Sequence, residues 1–286
     1  MRPPTLRRLN QDRLSLALWD YGEREDTPVL LFLHGFMDTA RSFEDLVGHL
    51  AADFRPLCLD WRGHGASDWA HADAGYHQLD HLRDLLLALD ELGTLGLAPT
   101  MVVAHSMGGT LALMAAAYAP DLVPRLLLLD CLGGYAVTPE RRVEQMRAYA
   151  THVRGPLRPF RSFPDRAAAE ARIRANNPGL SAAGAERMAR HYFREDEEGL
   201  TPVHDPRLRG PNPYRFSAAD WEALLAAVQQ PVHVMAPEEG YLHRHDVGRR
   251  RDALPHASWE DVPGIGHHLH VEAPERVAEA IRRFSG

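Results

Sequence analysis

The sequence predicts an α/β fold in which helices flank a mostly parallel central sheet. Short continuous apolar runs, such as VLLFL at residues 29–33, are typical of strands that are buried on both faces. These runs alternate with longer stretches of helical periodicity, and the crossovers that this requires favour parallel strands. From residue 133 to about residue 228 the strand-like runs disappear, so we expect a helical insertion there.

The first half of the chain alternates between strand and helix. Arg13 to Tyr21 carries leucines at alternate positions, as expected of a half-exposed edge strand. Tyr76 to Leu92 has the pattern of a long amphipathic helix, with Leu79 and Leu82 among its inward residues. The other predicted elements here are strands at 29–33, 55–60, 101–104 and 125–129 and helices at 43–51 and 107–118.

The second half predicts an inserted lobe and the return of the sheet. A capping box from Ser217 to Asp220 opens the last helix of the lobe. The predicted helices of the lobe are 141–150, 165–176, 182–193 and 218–228, followed by strands at 232–236 and 258–262 and a helix at 274–284. We therefore predict a core in two parts, residues 1–132 and 229–286, and a helical cap at residues 133–228.

Composition limits the classes of function. The 286 residues include 45% hydrophobic ones, enough for a large core, and the formal charge of −7 argues against nucleic acid as the main partner. No run of about 18 apolar residues is present, so no membrane span is expected. Cys58 and Cys131 lie in or just after apolar strands, as reduced thiols would. We expect a cytoplasmic monomer or homodimer that acts on a small molecule.

The sequence MVVAHSMGGT, residues 101–110, places Ser106 between a buried strand and a helix. A serine on such a turn is lifted out of the backbone with its hydroxyl exposed, and the turn needs small neighbours. Ala104 and Gly108 stand two residues before and after it, one methyl group away from the pattern G-x-S-x-G. Taken alone, the pattern also fits an ordinary strand-to-helix turn.

Three further motifs make this pattern specific. They are HGF at residues 34–36, DWRGHGASD at 60–68 and GIGHH at 264–268. In this order they closely resemble the α/β-hydrolase family over nearly the whole chain except its middle third. The C-terminal part, with PVHVM at 231–235, GY at 240–241 and VPG at 262–264, looks most like the serine-hydrolase-like branch. The resemblance implies an α/β-hydrolase fold whose helical cap covers the active site.

The resemblance also implies roles for individual residues. A serine hydroxyl needs a base and donors for the developing oxyanion, so Ser106 is the expected nucleophile. His267 stands where the family carries its base, with His268 as the alternative. The backbone N–H groups of Phe36 and Met107 are the expected oxyanion donors.

The acid that should orient the base is less clearly marked. The family commonly takes it from the loop after the strand at 232–236, but residues 237–240 read PEEG and lack the usual glycine and aspartate. Some relatives take it from the end of the strand that follows the nucleophile strand. We favour Asp130 at that position, and Glu239 and Glu238 remain as alternatives.

Other residues are expected to shape the site. We predict that Met37, His105, Trp69 and Tyr135 line the substrate pocket. Cap arginines could recognise a substrate carboxylate, although charged side chains are also usual on helix surfaces. These arginines are Arg141, Arg142, Arg147, Arg154, Arg158 and Arg161.

Polar clusters elsewhere are interpreted as structural. Asp60, Arg62, His64 and Asp68 are expected to brace the loop beside the pocket. His77 and His81 have the i, i+4 spacing of metal ligands, but we interpret this helix face as a solvated surface. We therefore predict neither a metal site nor a cofactor.

The predicted activity is hydrolysis of a carboxylic ester of a small or medium acyl substrate through an acyl-enzyme. A carbon–carbon bond hydrolase acting on a diketone would use the same residues. A ligand-binding protein with weak turnover is the other alternative, because the usual aspartate is missing at 240. Haloalkane dehalogenase and epoxide hydrolase are disfavoured, since the resemblance would then require an aspartate in place of Ser106.

Overall fold

An eight-stranded sheet forms the centre of the molecule. The computed structural model describes residues 2–11, 14–22, 24, 26–244 and 247–286; Met1 and Arg13, where the predicted first segment and edge strand begin, lie outside them. The strands are β1 (Thr5–Gln11), β2 (Leu14–Asp20), β3 (Val29–Leu33), β4 (Arg55–Leu59), β5 (Met101–His105), β6 (Leu126–Leu129), β7 (Phe193–Asp196), β8 (Gly199–Pro202), β9 (Val232–Glu239) and β10 (Ser258–Gly266). The central sheet has the order β1-β2-β4-β3-β5-β6-β9-β10. All its pairs are parallel except β1 with β2 and β2 with β4.

Helices cover both faces of this sheet. They are α1 (Glu44–Gly48), α2 (Gln78–Thr94), α3 (Met107–Tyr118), α4 (Pro139–Arg154), α5 (Arg166–Asn176), α6 (Ala182–Tyr192), α7 (Ala218–Ala227), α8 (Tyr241–Arg244), α9 (Gly248–Asp252), α10 (Leu269–Glu272) and α11 (Pro274–Ser285). Alternate residues of β5 enter opposite cores: Val102 packs with α2 and α3, and Val103 with α1 and α11. Because both faces are buried, the central strands are continuously apolar, as predicted.

The segment 133–228 is inserted between neighbouring parallel strands, because β6 pairs directly with β9. It contains α4 to α7 and the antiparallel hairpin β7–β8. Helices α5 and α6 pack together through a small apolar cluster that Val271 joins, whereas α4 buries none of its residues. Helix α7 joins the central core through Trp221, Leu224 and Leu225, so the segment is anchored to the core at its C-terminal end.

Four expectations about local structure were wrong. The hairpin β7–β8 escapes the periodicity analysis, because its strands read FRED and GLTP and are largely exposed. Strand β1 is missed for the same reason. Leu79 is 63% exposed and not inward. Conversely, His81 and Asp84 are buried, so the α2 face interpreted as solvated packs against the loop at 60–68.

Within the described ranges, none of the helices is long and apolar enough to cross a lipid bilayer.

Candidate active site

Ser106 lies on a strained turn between β5 and α3. Its backbone has φ 51° and ψ −115°, a conformation that costs energy for a non-glycine residue and is held by the surrounding structure. Its N–H donates to the Leu129 carbonyl at 3.2 Å. A Cβ at Gly108 would collide with the Leu33 carbonyl, so the turn requires a residue without a side chain there. The small residues around Ser106 thus follow from close packing.

His267 and Asp130 are in direct contact. The Nδ1 of His267 lies 2.6 Å from Oδ2 of Asp130, whose side chain is fully buried. The same carboxylate accepts the backbone N–H groups of Tyr241 at 2.5 Å and Leu242 at 3.0 Å. Because a carboxylate only accepts, His267 donates from Nδ1 and its Nε2 is left to take a proton.

The other carboxylates weighed for this role lie elsewhere. Strand β9 extends through Glu238 and Glu239, so both belong to its exposed end. Glu238 accepts the N–H of Gly264 at 2.9 Å and braces the bulge in β10, while Glu239 lies against Gly179. Among the described residues, Asp130 is therefore the carboxylate that contacts His267.

His268 and His105 support the loop that carries His267. His105 donates from Nε2 to the carbonyl oxygen of His267 at 2.9 Å. His268 is buried and bonds to Asn177 at 2.8 Å, and burial lowers the pKa of its imidazole to about 3. His268 thus remains neutral and its Nε2 is engaged by Asn177, so it does not take the place of His267.

Ser106 and His267 both line a cavity of about 810 Å³. Among the residues that the structure describes, no hydrogen bond joins the Ser106 hydroxyl to His267. Such contacts are often long in unliganded enzymes and tighten when substrate binds. The core side of the wall is formed by Phe36, Tyr76, Gln78, His81, Ser106, Met107, Thr110, Leu111, Asp130, Cys131, Tyr241 and His267.

Phe36 and Met107 are placed at the same end of the sheet. Met107 is the first residue of α3, where an N–H has no partner within the helix. Phe36 follows Gly35, where a Cβ would lie 3.2 Å from that of Ser106, so this backbone passes close to the serine. The next N–H, that of Met37, is already taken by His64 at 3.3 Å. The loop therefore turns the Phe36 and Met37 amides to different environments.

The predicted pocket residues fall into two groups. Tyr135 lines the cavity, whereas Met37, His105 and Trp69 are not part of its wall. His105 is buried beneath it, because the side chain that precedes Ser106 on β5 points into the sheet's packing. Met37 is displaced since its left-handed backbone, φ 56°, turns the loop away after Phe36. Trp69 is half exposed.

The segment 133–228 supplies the opposite wall, which periodicity could not reveal. None of the six arginines predicted for a substrate carboxylate lines the cavity; Arg209 and Arg215 do. Both arginines lie in a stretch rich in proline and glycine. This composition predicts a loop, but it does not predict that the loop lines the cavity. The residues contributed here are Gly133, Gly134, Tyr135, Asn176, Asn177, Pro178, Leu208, Arg209, Gly210, Pro211, Asn212 and Arg215.

The polar cluster at 60–68 braces loops, in agreement with its structural interpretation. Arg62 forms a bidentate ion pair with Asp84 of α2, and both N–O distances are 2.5 Å. Asp60 accepts backbone N–H groups of Ala40 and Ala66. Burial keeps the pKa of His64 well below its usual value. His64 is therefore a neutral hydrogen-bonding group.

Potential metal ligands come together in one place among the described residues. Asp38, His105, His268 and His270 each offer a donor atom, and these atoms lie within 4.8 Å of one another. His77 and His81, which have ligand spacing in the sequence, do not belong to this group.

Comparison with known proteins agrees with this architecture. A 2-(acetamidomethylene)succinate hydrolase of Mesorhizobium japonicum is 27% identical, with 97% of this chain and 94% of the relative aligned. A serine hydrolase-like protein of Dictyostelium discoideum is 25% identical over 95% of this chain and 78% of its own length. The crystal structure of a hypothetical protein of Pseudomonas aeruginosa PAO1 superposes with a TM-score of 0.81 at 27% identity, covering 98% and 97% of the two chains.

A family model matches most of the chain and is not limited to single motifs. The model described as the alpha/beta hydrolase family aligns with residues 30–280, which include the strand before Phe36, the Ser106 turn and the His267 loop. This chain belongs to the α/β-hydrolase family.

Proposed function

We propose that this protein is a serine hydrolase that cleaves a carboxylic ester of a small or medium acyl substrate. The observation that carries the proposal is the 2.6 Å contact between His267 and buried Asp130, beside Ser106 on its strained turn in one cavity. A base oriented by a carboxylate next to an exposed hydroxyl is the arrangement that acyl transfer requires. The two curated relatives named above are themselves described as a hydrolase and a serine hydrolase-like protein.

In the proposed reaction, Ser106 Oγ attacks the ester carbonyl carbon and its proton passes to His267 Nε2. Asp130 holds the imidazole in the required tautomer and stabilises its positive charge. The N–H groups of Phe36 and Met107 bind the oxyanion. Collapse of this intermediate breaks the C–O bond, and the leaving alkoxide takes the proton from His267. Water, deprotonated by His267, then attacks the acyl-enzyme and releases the carboxylic acid and Ser106.

We further propose that the segment 133–228 acts as a cap on a core made of residues 1–132 and 229–286. The cavity lies between the two parts, with Ser106 and His267 on one side and Arg209 and Arg215 on the other. Such a cap excludes water and selects the substrate, while the core carries out the chemistry.

A ligand-binding role loses its main support. That role rested on the absence of the usual aspartate from residues 237–240, because His267 would then have had no acid to orient it. Asp130 contacts His267 instead, so the departure at 237–240 leaves the imidazole oriented.

Carbon–carbon bond cleavage of a diketone is a second candidate. It uses the same residues, and two arginines in the cavity wall favour a substrate that carries a carboxylate. Assaying matched esters and diketones with one enzyme preparation separates the two activities, because only the first releases an alcohol.

The proposed nucleophile is tested by covalent labelling. A fluorophosphonate should modify Ser106, and Ser106→Ala should abolish labelling and lower ester turnover by about 10⁶-fold, because the groups act as a unit. The matched control is Ser181→Ala, which changes an exposed serine and should leave labelling unchanged. Labelling of a Ser106→Ala protein with native melting temperature would reject the proposal.

A further inference from the structure

Four buried side chains form a cluster behind His267. Asp38 follows β3, His105 ends β5, and His268 and His270 come directly after the candidate base. All four are buried, and one potential ligand atom of each lies within 4.8 Å of the others. The proposed ester hydrolysis uses none of these side chains to move a proton.

Two of these histidines have a defined tautomer. His105 Nε2 bonds to the His267 carbonyl oxygen, and His268 Nε2 bonds to Oδ1 of Asn177. Both partners are oxygens without hydrogen, so each Nε2 carries the proton and donates it. When such a ring is uncharged, its Nδ1 is a bare lone pair.

These lone pairs have no partner in the part of the chain that the structure describes. Nδ1 of His105, His268 and His270 are all buried without a hydrogen bond. His270 uses its other nitrogen, which lies 3.2 Å from the hydroxyl of Ser42, and that hydroxyl donates to Asp38. Buried polar atoms without partners are costly, so three in one cluster indicate a missing ligand.

The dimensions of the cluster suit one metal ion. Its ring centroids are 4.5 Å apart for His105 and His270, 5.2 Å for His105 and His268, and 5.9 Å for His268 and His270. Three imidazoles bound tetrahedrally to zinc at about 2.0–2.1 Å would have centroids about 5 Å apart. Donor atoms bound tetrahedrally to zinc lie about 3.3 Å apart, so atoms that are 4.8 Å apart must close by about 1.5 Å.

The surroundings also match those of metal ligands. Metal-bound histidines almost always donate their other N–H to an oxygen, as His105 and His268 do. The fourth group is the carboxylate of Asp38, which accepts the Ser42 hydroxyl at 2.8 Å. The cluster thus offers three imidazoles and one carboxylate.

We propose that Asp38, His105, His268 and His270 bind one zinc-like divalent transition-metal ion. Nitrogen and oxygen ligands of this kind favour zinc over calcium or magnesium. Binding would draw in His105, which holds the His267 carbonyl, and His268, which holds Asn177 of the cavity wall. Occupancy of the site therefore shifts the loop of the proposed base and slows turnover.

The test measures binding and does not depend on hydrolysis. Zinc is titrated against a chromophoric chelator with the Ser106→Ala protein, and X-ray absorption at the zinc edge identifies the ligands. We expect one ion per chain with at least two imidazole ligands. His268→Asn and His270→Asn should each weaken binding by about 100-fold, and His71→Asn, which removes an exposed histidine 2.5 Å from Asp73, should not.

The outcomes are distinct from those for the proposed function. Absence of stoichiometric zinc would overturn the site and leave a buried water as the donor to these lone pairs. Tight binding that survives in both cluster variants, or that disappears with His71→Asn, would also overturn it. If a cluster variant does not fold, the X-ray absorption spectrum of the Ser106→Ala protein decides, and fewer than two imidazole ligands reject the proposal.

Discussion

The two walls of the cavity are built in different ways. On the core side, the backbone N–H of Ser106 is bonded to β6, Asp130 accepts three hydrogen bonds, and the carbonyl of His267 is held by a buried histidine. On the other side, Asn176 and Arg209 are exposed and Arg215 is half-buried. Helix α3, which carries Met107 and Thr110 of the core wall, buries nine of its residues.

This difference separates chemistry from substrate choice. A reacting group that is displaced by 1 Å loses much of its rate advantage, so the core wall must be rigid. The wall from 133–228 can change its side chains with little effect on the core, because few of them are buried. We therefore expect substitutions on the core wall to affect turnover or folding, and those on the other wall to affect which substrate is used.

After Ser106→Ala, the substitution Asp130→Asn should have the largest effect on turnover. The substitution keeps the shape of the side chain but removes the charge that holds the His267 tautomer, so turnover of a reactive ester should fall by about 10⁴-fold. Turnover and melting temperature are recorded for the same preparations.

Glu238→Gln and Glu239→Gln are the matched controls, because both carboxylates are exposed at the end of β9. Each should change turnover by less than about tenfold. A near-normal rate for Asp130→Asn, or collapse of the rate for Glu239→Gln, would move the acid to the later strand. A large fall in melting temperature alone would assign Asp130 a structural role.

Prediction from sequence succeeded where local patterns carry the information. Ser106 stands in a strand, turn and helix that ten consecutive residues specify. The pairing of His267 with Asp130, 137 residues away, depends on which strands are neighbours in the sheet. The unusual residues 237–240 therefore left the identity of the acid undecided in the sequence. The hairpin β7–β8 and the positions of Arg209 and Arg215 could not be predicted, because exposed polar stretches have no periodicity.

Acid should destabilise the core through its buried histidines. Burial lowers the pKa of His81, His204 and His268 to about 3, whereas an unfolded histidine titrates near 6.5. The unfolded chain then binds more protons between these values, so stability is complete above about pH 6.5 and falls as the pH falls toward 3. Melting temperature measured from pH 8 to pH 5 should be constant above pH 7 and decrease below 6.5.

His204→Leu sharpens this prediction. Both ring nitrogens of His204 are buried without a hydrogen bond among the described residues, so an apolar side chain is tolerated there. The variant should lose about 2 kcal/mol less stability than the parent between pH 6.5 and pH 5. His71→Leu, at an exposed position, should keep the parental pH dependence. If His204→Leu and the parent lose the same stability between pH 6.5 and pH 5, the pKa of the His204 imidazole is not lowered in the folded protein.

Arg215→Gln should have the smallest effect, and it tests the wall opposite Ser106. Arg215 stacks on Tyr135 at 5.6 Å, and no carboxylate within the described ranges forms an ion pair with it. Its charge is therefore available to a substrate carboxylate, a contact that contributes about 1.5–3 kcal/mol when charged groups hydrogen-bond.

For an ester with a carboxylate at the far end of its acyl chain, Arg215→Gln should raise KM by about tenfold and leave kcat unchanged, because ground state and transition state lose the same contact. A neutral ester of equal length should change by less than about twofold. Arg141→Gln, on exposed α4 outside the cavity wall, is the control and should affect neither ester. An equal rise in KM for both esters would mean that Arg215 shapes the cavity and does not recognise the charge of the substrate. The tenfold loss restricted to the anionic ester, and reduced at high salt, is what charge recognition by this wall requires.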